Sequence, residues 1–420
     1  MTLPLDRHWK NVSWLLSVEV FYGVALSLIS MVAVLPVFLS RLGATNTVIG
    51  ALPVIWLLAT NFPGAFAAHF TGGLARRKQA VIILHVLAGI PWLILAVWFG
   101  VISRPSGAVD IVVLLAGWGA SWVIMGFTIP VWINFIGKVT RSELRARSFG
   151  TIFFFQTLMG VIGGWIGSRL LGSSLPFPVN YALGFLVAGI CMAIGSFFFL
   201  PVREDAGATT APSPAFATVL RYAREILADR TGLRVYLAVL LLSVGRFLLI
   251  TYYPVFAQSR FSLKPRDSAI YTAICMAGQM IGSVLVGFIG DRFGYARVAV
   301  VAMAALTVGL ALAIWGSHPA FYYCTAFVLG IFIVSDVLAL FNLSMAFSPH
   351  EDNTAYIGII PAIVAPFTAL IAGSSGTFID HFGFIPIAWV GLAAAVAALY
   401  LVVFRLPEPA YSLAGRRGSP

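Results

Sequence analysis

The sequence predicts an all-α integral membrane protein whose twelve transmembrane helices form two pseudo-symmetric six-helix bundles. Three observations carry that reading. Hydrophobic residues make up 60% of the chain and charged residues only 10%, where a soluble chain carries about a quarter, so lipid must solvate most of the apolar surface. Twelve apolar runs can be laid out, each near or above the ~20 residues that cross ~30 Å of hydrocarbon. A single long connection splits those runs six and six, and the two halves echo one another.

Taken in order, residues 1–11 are short and mixed in charge. The first run, 12–39, is too long for a cleavable signal core and lacks a small-residue cleavage site, so it is expected to be a span that starts in the cytoplasm. The remaining spans are expected at 46–69, 79–102, 108–136, 147–171, 179–201, 233–256, 268–289, 297–316, 319–346, 355–378 and 384–405. This divides the chain into a bundle at 1–201, a cytoplasmic linker at 202–232 with room for an amphipathic helix over 215–228, a second bundle at 233–407 and a tail at 408–420. The echo lies in Leu35-Pro36-Val37-Phe38 and Tyr253-Pro254-Val255-Phe256, at the ends of the first and seventh spans. At the same spacing Gly64 falls on Gly282, and the Arg76-Arg77-Lys78 loop falls near a Gly290-Asp291-Arg292 turn. That turn, within Gly282–Arg297, joins two apolar runs through a loop too short for a soluble domain.

The net charge of +11 does not point to nucleic acid, because the basic residues are scattered over short loops. With the amino terminus inside, most of them, including Arg7, Lys10, Arg76, Arg77, Lys78, Lys138, Arg141 and Arg145, lie on the inner face. Only Arg41, Arg104, Arg169, Arg260, Lys264 and Arg266 fall outside, which predicts a plasma-membrane protein with both termini cytoplasmic. Cys191, Cys275 and Cys324 lie in apolar runs without metal or redox spacing. No nucleotide-binding loop or paired-carboxylate hydrolase pattern is present, so neither an enzyme, an ATP-driven pump nor a cofactor is expected.

The segment Gly287-Phe288-Ile289-Gly290-Asp291-Arg292-Phe293-Gly294 resembles the short cytoplasmic motif between spans 8 and 9 of the major facilitator superfamily of secondary transporters. Its first-half counterpart, Gly72 to Lys78, keeps the glycines and the basic cluster but has Gly73 near the place of an acid; Asp380, His381 and Gly383 look like a degenerate external echo. Ser142 to Gly150, with Arg145, is similar to the family's loop between spans 4 and 5, and Pro349 to Gly358 replaces the arginines there with Glu351 and Asp352. The resemblance covers essentially the whole length. It implies alternating access around one central site lined by spans 1, 4, 7 and 10. It also implies conformational gating by Asp291, Arg292, Arg145, Glu351 and Asp352 through inner-face ion pairs, or else solvated loops, since an exposed pair contributes only about 0–1 kcal/mol.

An ionisable side chain in hydrocarbon costs at least about 2.5–3.5 kcal/mol, so Glu19, Arg246 and Asp336, and less sharply His85, stand out. Arg246 either binds an anionic group or neutralises Asp336 and locks spans 7 and 10. Glu19, on one helix face with Tyr22, is either a structural acceptor or, with Asp336, a proton carrier; Asp336 is favoured by depth. Arg246, Tyr22, Asn61, Trp132, Gln279, Tyr252 and Asn342 are the expected substrate-binding residues. Gly160, Gly163, Gly164 and Gly167 mark close packing in span 5. The function expected is proton-coupled movement of a small organic solute, with efflux of an amphiphile placed ahead of uptake or exchange of an organic anion recognised by Arg246. A receptor, scaffold or lipid scramblase is the reading from another class. The partners expected are the solute, protons and membrane lipids, with no nucleic acid, around a monomer.

Overall fold

In hydrocarbon, a backbone polar group has no water to bond, so each spanning segment must satisfy its own peptide groups; every regular element among the described residues is accordingly helical. The structure, a computed structural model, describes residues 4–71, 74, 76–103, 107–141, 144–205, 221, 224–228, 232–347 and 354–407, the side chains of 65–71, 145–147, 291, 345 and 354–358 excepted. Twelve helical stretches among them are long and apolar enough to span a membrane. The helices are α1 (Leu5–Leu28), α2 (Val34–Arg41), α3 (Asn46–Ile49), α4 (Ala51–Thr71), α5 (Lys78–Val97), α6 (Ala108–Val139), α7 (Arg145–Leu171) and α8 (Val179–Phe197). They continue with α9 (Gly232–Leu242), α10 (Tyr253–Phe261), α11 (Pro265–Phe293), α12 (Tyr295–Trp315), α13 (Ala320–Ala346), α14 (Thr354–Phe382) and α15 (Phe384–Phe404). The amphipathic helix expected over 215–228 falls mostly outside the described residues.

Several spans read as continuous from the sequence are interrupted: the second carries a turn at Gly50 between α3 and α4, the third closes in a π turn at Trp98–Ile102, and the first and seventh are broken more deeply. The first begins earlier than expected, at Leu5, and breaks between Leu28 and Val34, where the Leu35 N–H reaches back to the Ser30 carbonyl and the Val32 N–H bonds the Ser30 hydroxyl. The seventh passes through a 3₁₀ turn at Ser243–Gly245 and a π turn at Leu248–Tyr252 before α10 resumes. The breaks in the first and seventh spans each precede the proline of the internal echo, Pro36 or Pro254. A proline has no N–H to donate and its ring collides with the carbonyl four residues back, so it is tolerated in the first turn of a new helix and not inside an old one.

The chain sorts into two units. The first gathers spans 1 to 6, apart from the opening turns of span 2, and takes in Leu263–Met276 from span 8; the second gathers the other spans and takes in Asn46–Pro53. Within the first unit α1 packs on α7 and α8, and α5 on α6 and α8. Its core is aromatic: Phe38 stacks on Tyr181 and meets Phe99 and Phe185 edge-on, and the Trp92 indole N–H donates to Ser121. At the chain end of this unit the Glu204 carboxylate accepts the N–H groups of Arg77 and Lys78, capping α5, while Asn11 bridges Val139 and Arg203. Arg7 binds Asp205 at 2.9 Å and holds that carboxyl below the usual carboxylate range. Within the second unit α12 packs on α13 and α15, α9 on α15, and α14 on α3.

Glycines set the closest approaches, as expected for helices that gain little hydrophobic energy by meeting in lipid. A Cβ on Gly163 would stand 2.8 Å from the Val24 Cα, and one on Gly164 2.6 Å from the Ala273 Cβ. The turns after α11 and α14 share the sequence Asp-x-Phe-Gly, and both glycines, Gly294 and Gly383, adopt φ of 96° and 79°, conformations that a side chain would strain. Gly163→Val is expected to destabilise the protein by about 1–3 kcal/mol through overpacking against α1, read as a lower melting temperature in detergent with retained helical content.

Candidate functional site

Gly245 turns its bare face to the neighbouring helices, where a Cβ would lie 3.1 Å from Leu310 of α12 and 3.2 Å from the Gly391 carbonyl of α15. That approach seats the 3₁₀ turn and fixes the residue after it. Arg246 therefore stands between the two irregular turns of the seventh span, with Asp336 reaching it from α13. Its Nη1 donates to the Asp336 Oδ2 at 2.9 Å, and each side chain retains 15% of its exposure. The guanidinium carbon also lies 5.2 Å from the centre of the Phe247 ring. Tyr236 of α9, 1% exposed, feels the charges of both Arg246 and Asp336, and its hydroxyl has no hydrogen-bond partner among the described residues. Two opposite charges, one buried phenol and a broken backbone are thus gathered in one stretch of the second unit.

A second polar cluster belongs to the first unit. Glu19 of α1, 5% exposed, accepts a hydrogen bond from the Gln156 amide of α7. The two helices come this close because Gly23 leaves no side chain between α1 and the Gln156 carbonyl. Tyr22 is buried, donates to the His85 carbonyl at 3.2 Å and sets its ring edge-on to the imidazole at 5.3 Å. The His85 Nδ1 lies 2.7 Å from the Val81 carbonyl, an acceptor that assigns the ring proton to Nδ1, and its ring abuts Phe199. The carboxyl of Glu19 faces a neutral amide, whereas that of Asp336 faces a cation.

The other residues singled out from the sequence are dispersed. Asn61 and Asn342 donate to the carbonyls of Leu57 and Leu338 on their own helices, at 2.7 and 2.8 Å. Trp132 sits edge-on to Phe149 and Phe153, and its indole N–H has no hydrogen-bond partner among the described residues. Gln279 is half-buried in α11. The Tyr252 hydroxyl donates to the Ala372 carbonyl of α14 at 2.7 Å. Arg292 is exposed, its guanidinium 5.9 and 5.6 Å from the rings of Phe288 and Phe293. Glu351 and Asp352, and the side chains of Arg145 and Asp291, lie outside the described residues. Tyr236 escaped the sequence reading because a tyrosine in an apolar run reads as packing. Gln156 was visible as a polar residue in a span, but nothing in the sequence tied it to Glu19.

A family model described as Major Facilitator Superfamily matches residues 235–419. No curated protein sequence matches. Solved structures of similar fold include a mutant of the nucleoside transporter NupG, with a TM-score of 0.73 at 14% identity over 94% of this chain and 99% of that one. A D-xylose-proton symporter gives 0.72 at 14% identity, covering 96% and 99%. A POT family transporter in complex with 5-aminolevulinic acid gives 0.74 at 12% identity, covering 96% of each chain. Residues 235–419 are thus similar to the major facilitator superfamily, and the fold is shared with these solved transporters.

Proposed function

We propose that this protein, a multi-pass secondary transporter of the alternating-access kind and not an enzyme, moves a small organic solute with an anionic group, and that protons couple the movement. The observation that carries the reading is the Arg246–Asp336 ion pair, 2.9 Å long and set in the broken stretch of the seventh span. An anionic solute that takes Arg246 leaves Asp336 without its cation. An unpaired carboxylate in a low-dielectric setting is strongly disfavoured, so Asp336 takes up a proton as the solute binds. Solute anion and proton then travel as a neutral pair, and the ion pair re-forms when both leave. Glu19, held by a neutral amide, serves as a second proton carrier. The similarity to a structure named for a D-xylose–proton symporter supports proton-coupled movement of a small organic solute, and that to a structure in complex with 5-aminolevulinic acid supports a cargo that carries a carboxylate. Arg145, Asp291, Arg292, Glu351 and Asp352 gate the inner face, both termini are cytoplasmic, and the protein works as a monomer in the plasma membrane.

The test is solute flux in proteoliposomes with and without a pH gradient, after a thermal-shift screen of organic anions on wild type, Arg246→Ala and Asp336→Asn. Affinity for the anion should rise as pH falls in wild type and stay flat in Asp336→Asn, which should exchange solute yet lose gradient-driven accumulation. Arg246→Lys should weaken the anion by about tenfold or more, since the planar fork is lost, with little change in melting temperature. Flux indifferent to the pH gradient in wild type would sink the coupling.

Stability separates recognition from mere locking. Arg246→Ala alone should cost about 3–5 kcal/mol by stranding Asp336, whereas R246M with D336L should fall near wild type or above it. Chemical or thermal unfolding in detergent reads both.

A further inference from the structure

Within the first unit the end of α7 packs on the opening turns of α11, which belong to Leu263–Met276. A Cβ on Gly167 would stand 3.2 Å from the Ala269 Cβ, and one on Gly172 would stand 3.4 Å from the Arg266 Cδ. Arg169 lies three residues before Gly172, on the same side of α7. Arg169 and Arg266 therefore flank a residue with no side chain, and all three are exposed. The Arg169 guanidinium carbon is 5.3 Å from the centre of the Trp165 ring. That contact uses the face of the cation and leaves its N–H donors, which lie in the plane, open to an anion. Among the described residues Arg169 has no carboxylate within ion-pair distance. Arg266 comes no nearer than 4.0 Å to Asp267, whose carboxylate accepts the Lys264 N–H at 2.7 Å. It also stands in the first turn of α11, where the helix dipole disfavours a cation.

We propose that Arg169 and Arg266 hold the phosphate of an anionic phospholipid over Gly172, with the acyl chains lying along Trp165 and Ile162. The two apolar side chains are 57% and 41% exposed and occupy the same side of α7 as Arg169. Along the helix the order is thus aliphatic, indole, cation, which is the order of acyl chain, interface and phosphate in a bilayer leaflet. The planar fork of a guanidinium matches two phosphate oxygens, and the bare Gly172 leaves the headgroup room between the two cations. An anion there also offsets the unfavourable placement of Arg266 at a helix start. The apolar stripe leading to the cations makes lipid, and not the surrounding solution, the source of the phosphate.

The test needs no transported solute and is independent of the transport reading. The whole protein in detergent is titrated with dioctanoyl phosphatidylglycerol, dioctanoyl phosphatidylcholine or inorganic phosphate, and the rise in melting temperature is followed. Wild type should show a saturable rise with phosphatidylglycerol and little with the other two. Arg169→Ala and Arg266→Ala should each raise the half-saturation concentration roughly fivefold, and together roughly thirtyfold. Gly172→Leu should weaken binding with both charges kept, whereas Arg41→Ala, whose guanidinium lies 4.2 Å from the Phe177 ring, should leave it unchanged. Melting without lipid shows which variants are folded, and Arg169→Lys and Arg266→Lys carry the comparison if the alanine variants are not. An equal response to phosphatidylcholine or to inorganic phosphate overturns the proposal, as does no saturable response at all. Binding undiminished in the Arg169, Arg266 or Gly172 variants overturns it too, and so does an equal loss in Arg41→Ala, which would reduce the site to diffuse charge.

Discussion

Everything in this molecule follows from the absence of water in its surroundings. A peptide group left unpaired in hydrocarbon costs several kcal/mol, so the chain is helical wherever lipid touches it, and any interruption has to be compensated by protein. The interruptions are therefore the informative places. One falls at residues 29–33 in the first unit, where the Ser30 hydroxyl and carbonyl take up freed N–H groups. Another falls at 243–252 in the second unit, where 3₁₀ and π turns re-route the bonds and leave Arg246 between them.

The same dryness governs the charges. Arg246 and Asp336 are tolerated together because their attraction offsets the cost of desolvating both, and removing one leaves the other charge uncompensated. A charge pair of this kind is a poor source of stability and a good two-state element: a ligand or a proton that engages one partner changes the state of the other. Glu19 illustrates the contrast, since a neutral amide supports its carboxyl without fixing its charge.

Close approach by glycine is the third consequence. Helices in lipid gain little by hiding apolar surface from each other, so contact depends on packing and on hydrogen bonds that small residues admit. Gly23 and Gly163 let α1 and α7 touch, and that contact brings Gln156 to Glu19. Gly376 and Gly50 play the corresponding part where the second span meets α14, and there the approach brings Asp380 to the helix end it caps.

Composition and run length determined the twelve spans, because crossing hydrocarbon demands about 20 apolar residues whatever they pack against. The echo of Leu35-Pro36-Val37-Phe38 in Tyr253-Pro254-Val255-Phe256 was legible too, yet it did not disclose that both prolines follow a break, since a proline opening a new helix and one kinking an old helix look alike in a string of letters. Arg246 and Asp336 could be singled out by the cost of burying a charge, but an isolated sequence offers several partners for each. Only the fold brought Nη1 to Oδ2, set Tyr236 beside them, held Asn61 and Asn342 to carbonyls of their own helices, and carried Asp380 to Asn46. The reason is one of range: span length and local turn chemistry are set by neighbours along the chain, whereas a side-chain contact between spans depends on helix rotation and depth, which packing fixes in three dimensions.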